Sequence, residues 1–306
     1  MDNYEPRNMN NDQQTIDKLF RDLVKVYSTS ATSLIGINSM QSAIEELVCN
    51  NDDLSKELSK LSDVIKNTQP RMFPLDNLML ILDKKINSFD NNKELTKTVI
   101  SEMLNKFKKR LELELNSLIK FGLDSIDDDD FIVIHSIEEN IEHLIPEAKK
   151  KGKKFKILVL KQDIITTSQI LKILTNHNIE FEVIPEYDLV HYFDEITKLF
   201  IGTQALTNDD HLICDPGTSN IVSECHIHDI PIYLFLKTLK FSHYPAMEQN
   251  IRKNNYQDES GGIEYNFSIH SNDIIKLKLI NKIITDKGEI HIDQIPTIRE
   301  QILSEY

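Results

Sequence analysis

The sequence predicts an α/β protein in which an N-terminal helical bundle precedes a doubly wound, mainly parallel, Rossmann-like sheet. Three observations predict it. From Ile16 to about Phe121 apolar residues recur at spacings of three and four, the period of an amphipathic helix. From Phe131 onward short apolar runs alternate with helical stretches, the rhythm of βαβ units. Between them lies Gly122–Asp130, with four consecutive aspartates, Asp127–Asp130. Two domains are therefore expected, 1–125 helical and 126–306 α/β.

In the first half the stripes are Leu19, Leu23, Val26, then Leu54, Leu58, Leu61, Ile65, then Leu104, Phe107, Leu111, Leu115, Leu118. Polar or proline-bearing breaks separate them at 28–30, 49–53, 69–74 and 89–92. The aspartate run reads as a solvated linker, because adjacent carboxylates do not converge on a metal without loop curvature. In the second half, strands are expected at Phe131–Ile134, Phe155–Leu160, Ile179–Ile184, Lys198–Gly202 and Pro231–Leu236. Helices are expected at Glu138–Lys151 with Gly152 as C-cap, Thr166–His177, Leu189–Ile196 and Ser219–Asp229. The tail reads as a polar loop over 250–262, an extended piece near Tyr265, a strand at Ile280–Ile284 and a closing helix from Pro296 to Glu305.

Composition narrows the function. The 306 residues are 40% hydrophobic with a formal charge of −14, a globular balance that gives no nucleic-acid footprint of its own and favours basic protein partners. Cys49, Cys214 and Cys225 have no paired spacing and suit a reducing, cytoplasmic compartment. The polar start MDNYEPRNMNNDQQ reads as no signal peptide, and no run is long and apolar enough to span a bilayer. Cys214, Cys225, His211, His226 and His228 match no zinc spacing, so no metal or cofactor is expected. Gly261-Gly262 reads as a plain loop, since no strand precedes it and no helix follows.

The candidate pocket is the stretch Ile201–Thr218, IGTQALTNDDHLICDPGT. It follows an apolar strand, opens as a loop on Gly202 and closes on Asp215-Pro-Gly-Thr218, where a helix begins. Substrates of doubly wound proteins sit in such loops. Yet Gln204, Asp209, Asp210 and Asp215 occupy it without a Lys or Arg, the wrong charge for a sugar phosphate.

This order of helices and strands, with Gly202-Thr-Gln204…Asp209-Asp210…Cys214-Asp215-Pro216-Gly217-Thr218, resembles one superfamily over nearly the whole chain. It contains the ribose-1,5-bisphosphate and methylthioribose-1-phosphate isomerases and the alpha, beta and delta subunits of translation initiation factor 2B. An alpha-type member is favoured by four pieces: Ser42-Ala-Ile-Glu45 with Leu47, His135 after a strand, Lys240-Phe241…Pro245 after Pro231-Ile-Tyr233, and Ile283-Ile-Thr-Asp-Lys-Gly288 followed by Ile298…Ile302…Tyr306. Beta- and delta-type members are the neighbouring alternatives.

The resemblance implies a vestigial pocket of His135, Ser136, Asp163, Gly202, Gln204, Cys214, Asp215, Gly217 and Thr218. The isomerases' catalytic thiol falls on Ser136 and their acid on Gln204. A phosphate-loop Asn and Lys fall on Cys214 and Asp215, and an Arg falls on Asp163. Serine supplies no thiolate, an amide shuttles no proton, and two cations have become anions. No catalytic residue is expected. The resemblance further implies a homodimer and a regulatory role in a guanine-nucleotide exchange complex. Its partners would be the other subunits and the phosphorylated alpha subunit of initiation factor 2. The phosphate-sensing face would lie on Thr29–Glu46, with Thr32 and Glu45 as partner contacts, although a helix cap and solvated face explain those residues equally. The alternative is a divergent isomerase.

Overall fold

The computed structural model describes residues 9–24, 27–48, 51–68, 71–88, 96–162, 164–249, 251–260 and 262–304. The chain divides into two compact units, Met1–Leu111 with Ile302–Tyr306, and Glu112–Gln301. The expected boundary at 125/126 falls just beyond the end of helix α5 (Lys97–Gly122), whereas this division falls inside it.

The first unit is helical: α1 (Met9–Val24), α2 (Thr29–Glu46), α3 (Asn51–Lys66), α4 (Phe73–Ser88) and the first part of α5. Ser28 starts α2, its hydroxyl accepting from the Ala31 amide at 3.1 Å. Helices α2 and α3 both pack on α4, whose Leu75, Leu78, Met79 and Leu82 are fully buried. Gly36 permits the α2–α4 approach, since a Cβ there would lie 2.8 Å from a Leu75 methyl. The α1 stripe is rotated from expectation: Leu19 is exposed and Phe20 buried.

The second unit is built on a seven-stranded sheet of order β12-β11-β7-β4-β1-β2-β3. Its strands are β1 (Asp130–His135), β2 (Phe155–Lys161), β3 (Glu180–Pro185), β4 (Lys198–Gly202), β7 (Ile232–Phe235), β11 (Lys282–Thr285) and β12 (Gly288–Ile290). All neighbours are parallel except β11 and β12. Strands β1, β4 and β7 are buried at every position, as a parallel sheet covered on both faces requires. One face packs Leu118 of α5, Ile141, Leu144 and Ile145 of α6 (Glu139–Lys150), and Ile170 and Leu174 of α7 (Ile164–Asn176). Gly152, at φ +84°, ends α6 in the left-handed conformation that glycine adopts without strain.

Four expectations are corrected. Residues 189–196 form no α-helix; a 3₁₀ turn at Glu186–His191 replaces it. The loop of 202–218 contains strands β5 (Ala205–Leu206) and β6 (His211–Cys214), which join β10 (Asp273–Lys276) in an antiparallel sheet of order β10-β6-β5. The polar loop at 250–262 is largely a strand, β8 (Lys253–Ser260), paired with β9 (Ile263–His270), with Gly262 at φ +80° in the turn. Gly261 lies outside the described residues.

The fourth correction concerns the aspartate run, which is not merely solvated. Asp127 and Asp130 each place an oxygen 2.7 Å from the buried Lys198 ammonium, and Asp130 also accepts from Thr197. Burial alone would lower the Lys198 pKa, but the hydrogen bonds it donates to both carboxylates outweigh it and hold the group raised. Among the described residues no helix is long and apolar enough to cross a membrane.

Candidate functional site

Strands β1, β2, β3 extend the sheet in one direction and β4, β7, β11 in the other. The switch lies between β1 and β4, and the carboxyl ends of these strands are where doubly wound folds place a ligand crevice. His135 ends β1, Gly202 ends β4, and Gly217-Thr218 begins α8 (Thr218–Ile227).

Gly202 is required here by close approach. A Cβ on it would lie 2.7 Å from Glu138 Cβ and 2.8 Å from the Ser136 carbonyl oxygen. Its amide donates to that carbonyl at 2.9 Å, and Ser136 adopts φ +48° to present it. Gly217, at φ +92°, has Glu186 Oε2 3.0 Å from its missing Cβ, so the Glu186 carboxylate overlies the start of α8.

His135 is fully buried at the centre. The Thr218 hydroxyl donates to the Asp215 carbonyl at 2.6 Å, so its oxygen is free to accept from His135 Nδ1 at 3.1 Å. His135 Nε2 faces Glu186 Oε1 at 2.9 Å, with the Gln162 side-chain amide 3.1 Å away. Ser136 Oγ accepts from the Asp215 amide at 3.2 Å. Gln204 donates to Asp215 Oδ1 at 3.1 Å and accepts from Asn272 at 3.0 Å. The Cys214 thiol points at the Gly202 carbonyl, 3.5 Å away. Behind them Lys240 meets Glu138 at 2.9 Å and the Thr203 carbonyl at 2.8 Å.

The structure thus brings together His135, Ser136, Gly202, Gln204, Cys214, Asp215, Gly217 and Thr218; Asp163 lies outside the described residues. Thr32, expected as a partner contact, is fully buried on α2, and its hydroxyl has no hydrogen-bond partner among the described residues. Glu45 is exposed on α2. Sequence reasoning missed Glu186, Gln162 and Asn272. The available signal for the first two was position, at the carboxyl ends of β3 and β2.

The electrostatics follow from burial. Desolvation pushes the Asp215 carboxyl up, against the charge of His135 and the hydrogen bonds from Gln204 and Ser136. Glu138 is raised by burial against the pull of Lys240. Burial drives the Cys214 thiol far up, so it supplies no thiolate at neutral pH. Cys225, buried on α8, is pushed up to about 12. No group of three metal-ligating side chains occurs among the described residues. The site therefore brings together the His135 imidazole, the raised Asp215 carboxyl and a buried Cys214 thiol.

A doubly wound sheet with this switch-point crevice defines a Rossmann-like α/β protein. The family model of the initiation factor 2 subunit family matches residues 25–292, and the chain belongs to that family. It is similar to an eIF-2B subunit 2-like protein of Pyrococcus abyssi, 27% identical over 64% of this chain and 71% of that one. It is also similar to the eIF2B delta subunit of Dictyostelium discoideum, 21% identical over 92% of this chain, of which it spans only 50%. The ribose 1,5-bisphosphate isomerase of Methanocaldococcus jannaschii is 23% identical over 79% of each. Among solved structures, eIF-2B of Pyrococcus horikoshii superposes with TM-score 0.75 at 22% identity, covering 89% of this chain and 95% of that one. A chain of the tetrameric eIF2B beta2-delta2 complex of C. thermophilum gives 0.69 at 12%, covering 97% and 96%.

Proposed function

We propose that the chain is a non-catalytic, alpha-type regulatory subunit of a translation initiation factor 2B exchange complex. One observation carries the reading. Where the family's isomerases use a thiol and an acid, this crevice has Ser136 and Gln204, and both are held by structural hydrogen bonds to Asp215. Serine and an amide leave the proton transfers of an isomerisation without their groups. On this reading the crevice shapes the fold, and the chain works by assembly. It forms a homodimer in the cytoplasm and joins the other subunits. The exposed edge of α2, Glu45 included, meets the phosphorylated alpha subunit of initiation factor 2.

The test is capture of the tagged full chain from its own cells with identification of what comes with it. The other exchange-factor subunits are expected in stoichiometric yield, and their absence sinks the proposal. The raised Asp215 carboxyl beside His135 favours a second reading, a divergent isomerase with replaced catalytic groups. Turnover of ribose 1,5-bisphosphate or methylthioribose 1-phosphate that disappears in Asp215→Asn would establish it; no turnover is expected.

A further inference from the structure

The chain carries 49 acidic against 35 basic residues, yet six lysines crowd into 149–156. Two of the six have structural tasks. Lys153 donates to the Leu123 and Ile126 carbonyls, and Lys156 pairs with Glu182 at 3.0 Å. Among the described residues Lys150 pairs with Glu147 of its own helix, at 3.3 Å. Lys151, together with Lys120 in the last turn of α5, forms no ion pair among the described residues.

Lys120, Lys150 and Lys151 ring a cavity of about 720 Å³ between α5, α6 and α7. Its floor is apolar, made by Ile119, Leu123, Pro146 and Ile173. His177 also lines it, its Nδ1 tied to the Ile173 carbonyl at 2.9 Å. Lysines at helix carboxyl ends complement the macrodipole. That role alone would leave each on a separate solvated face, whereas these converge from two helices around one cavity. Its volume is that of small-molecule sites, roughly 300–1,000 Å³.

We propose that this groove binds an organic phosphate of nucleotide size. The apolar or aromatic body would lie on Ile119, Leu123, Pro146 and Ile173, and the phosphate among Lys120, Lys150 and Lys151. The site lies away from the switch-point crevice and is independent of the role proposed above. Glu142 faces the same cavity. Burial, with Glu138 and Glu139 nearby, pushes its carboxyl up to about 7. It is therefore neutral below that pH and opposes the phosphate above it. The other titratable groups lining the groove are His143 and Glu147 on α6 and His177 after α7.

The experiment is calorimetric titration of the full chain at low salt, pH 6.5, with ADP, hexyl phosphate and inorganic phosphate. At least one of the two organic phosphates is expected to bind on the order of tenfold more tightly than inorganic phosphate, the apolar body adding roughly 1.4 kcal/mol. Tight ADP with weak hexyl phosphate identifies an aromatic body; the reverse identifies an aliphatic one. The triple variant Lys120→Gln, Lys150→Gln, Lys151→Gln should lose about tenfold or more. Lys18→Gln, Lys60→Gln, Lys276→Gln, the same charge removed elsewhere, should lose nothing. Three outcomes overturn the proposal: no binding by either organic phosphate at millimolar concentration, equal affinity for inorganic phosphate, or equal weakening in both triple variants. Circular dichroism of each variant separates lost binding from lost fold.

Discussion

His135 Nε2 lies 2.9 Å from Glu186 Oε1. His135 ends the central strand β1, and Glu186 follows the edge strand β3, so the contact spans β2. Gln162, just past β2, reaches the same ring nitrogen at 3.1 Å. One ring nitrogen therefore faces groups from the ends of β2 and β3, and on its other side the imidazole holds the first residue of α8.

The two sides of that imidazole should differ in weight. Thr218→Val keeps the volume but removes both the acceptor for Nδ1 and the hydroxyl that donates to Asp215. A buried polar group left unpaired costs about 1–3 kcal/mol. Glu186→Ala removes a carboxylate whose side chain is 35% exposed, and its loss should cost under about 1 kcal/mol. Urea denaturation of both variants checks the order; equal losses would refute it.

Gly202→Ala should be poorly tolerated. The new methyl must displace Glu138 Cβ or the Ser136 carbonyl, and overpacking of this kind costs about 1–3 kcal/mol. Thermal unfolding should show a clear drop in Tm, where Gly152→Ala, with open space around its Cβ position, registers only the strain of its positive φ.

Lys198→Met should be among the most damaging single changes in the second unit. It leaves Asp130, 6% exposed, without its cation. Stranding one partner of a buried ion pair costs roughly 3–5 kcal/mol. The exposed Lys60–Glu57 pair should give under about 1 kcal/mol in the same assay, and a double-mutant cycle with Asp130→Asn should recover much of the Lys198→Met loss.

Asp76 gives the first unit a pH dependence of defined sign. Burial lifts its carboxyl to about 6, against the charges of Arg71 and Lys66. A folded pKa above the unfolded value means that the folded state holds the proton more tightly. Stability is therefore greater below pH about 4 and declines as pH rises through about 6. The shift corresponds to roughly 3 kcal/mol. Asp76→Asn should raise stability at pH 7 and flatten the profile between pH 4 and 6; an unchanged profile would refute the assignment.

The parallel strands were legible because burial on both faces forces apolar runs, as in Phe131–Ile134 and Ile157–Leu160. The 3₁₀ turn was misread because Leu189, Phe193 and Ile196 fall at helical spacing while only Leu189 and Ile196 are buried. Strands β5 and β6 are two and four residues long, too short to show a period. Strand β8, KNNYQDES, reads as a loop because its side chains are nearly all polar. In the crevice, His135, Ser136, Gly202 and Asp215 stand where strands end or a helix begins, so position marked them. Glu186 stands at the end of β3 as well, but its pairing with His135, 51 residues earlier in the chain, shows only in the fold.

The strand order also sets a timetable for synthesis. Strands β1, β2 and β3 are consecutive in the chain, and their pairings require only residues 130–185. Strand β4 must then return past both to pair on the free side of β1, and β11 begins only at Lys282. Contacts between distant segments form slowly, and domains fold as the chain emerges from its N-terminus. A nascent chain halted before Lys198 can hold half a sheet with the open edge of β1 unpaired. That apolar edge is the surface a chaperone would have to cover until β4, ending at Gly202, has left the ribosome.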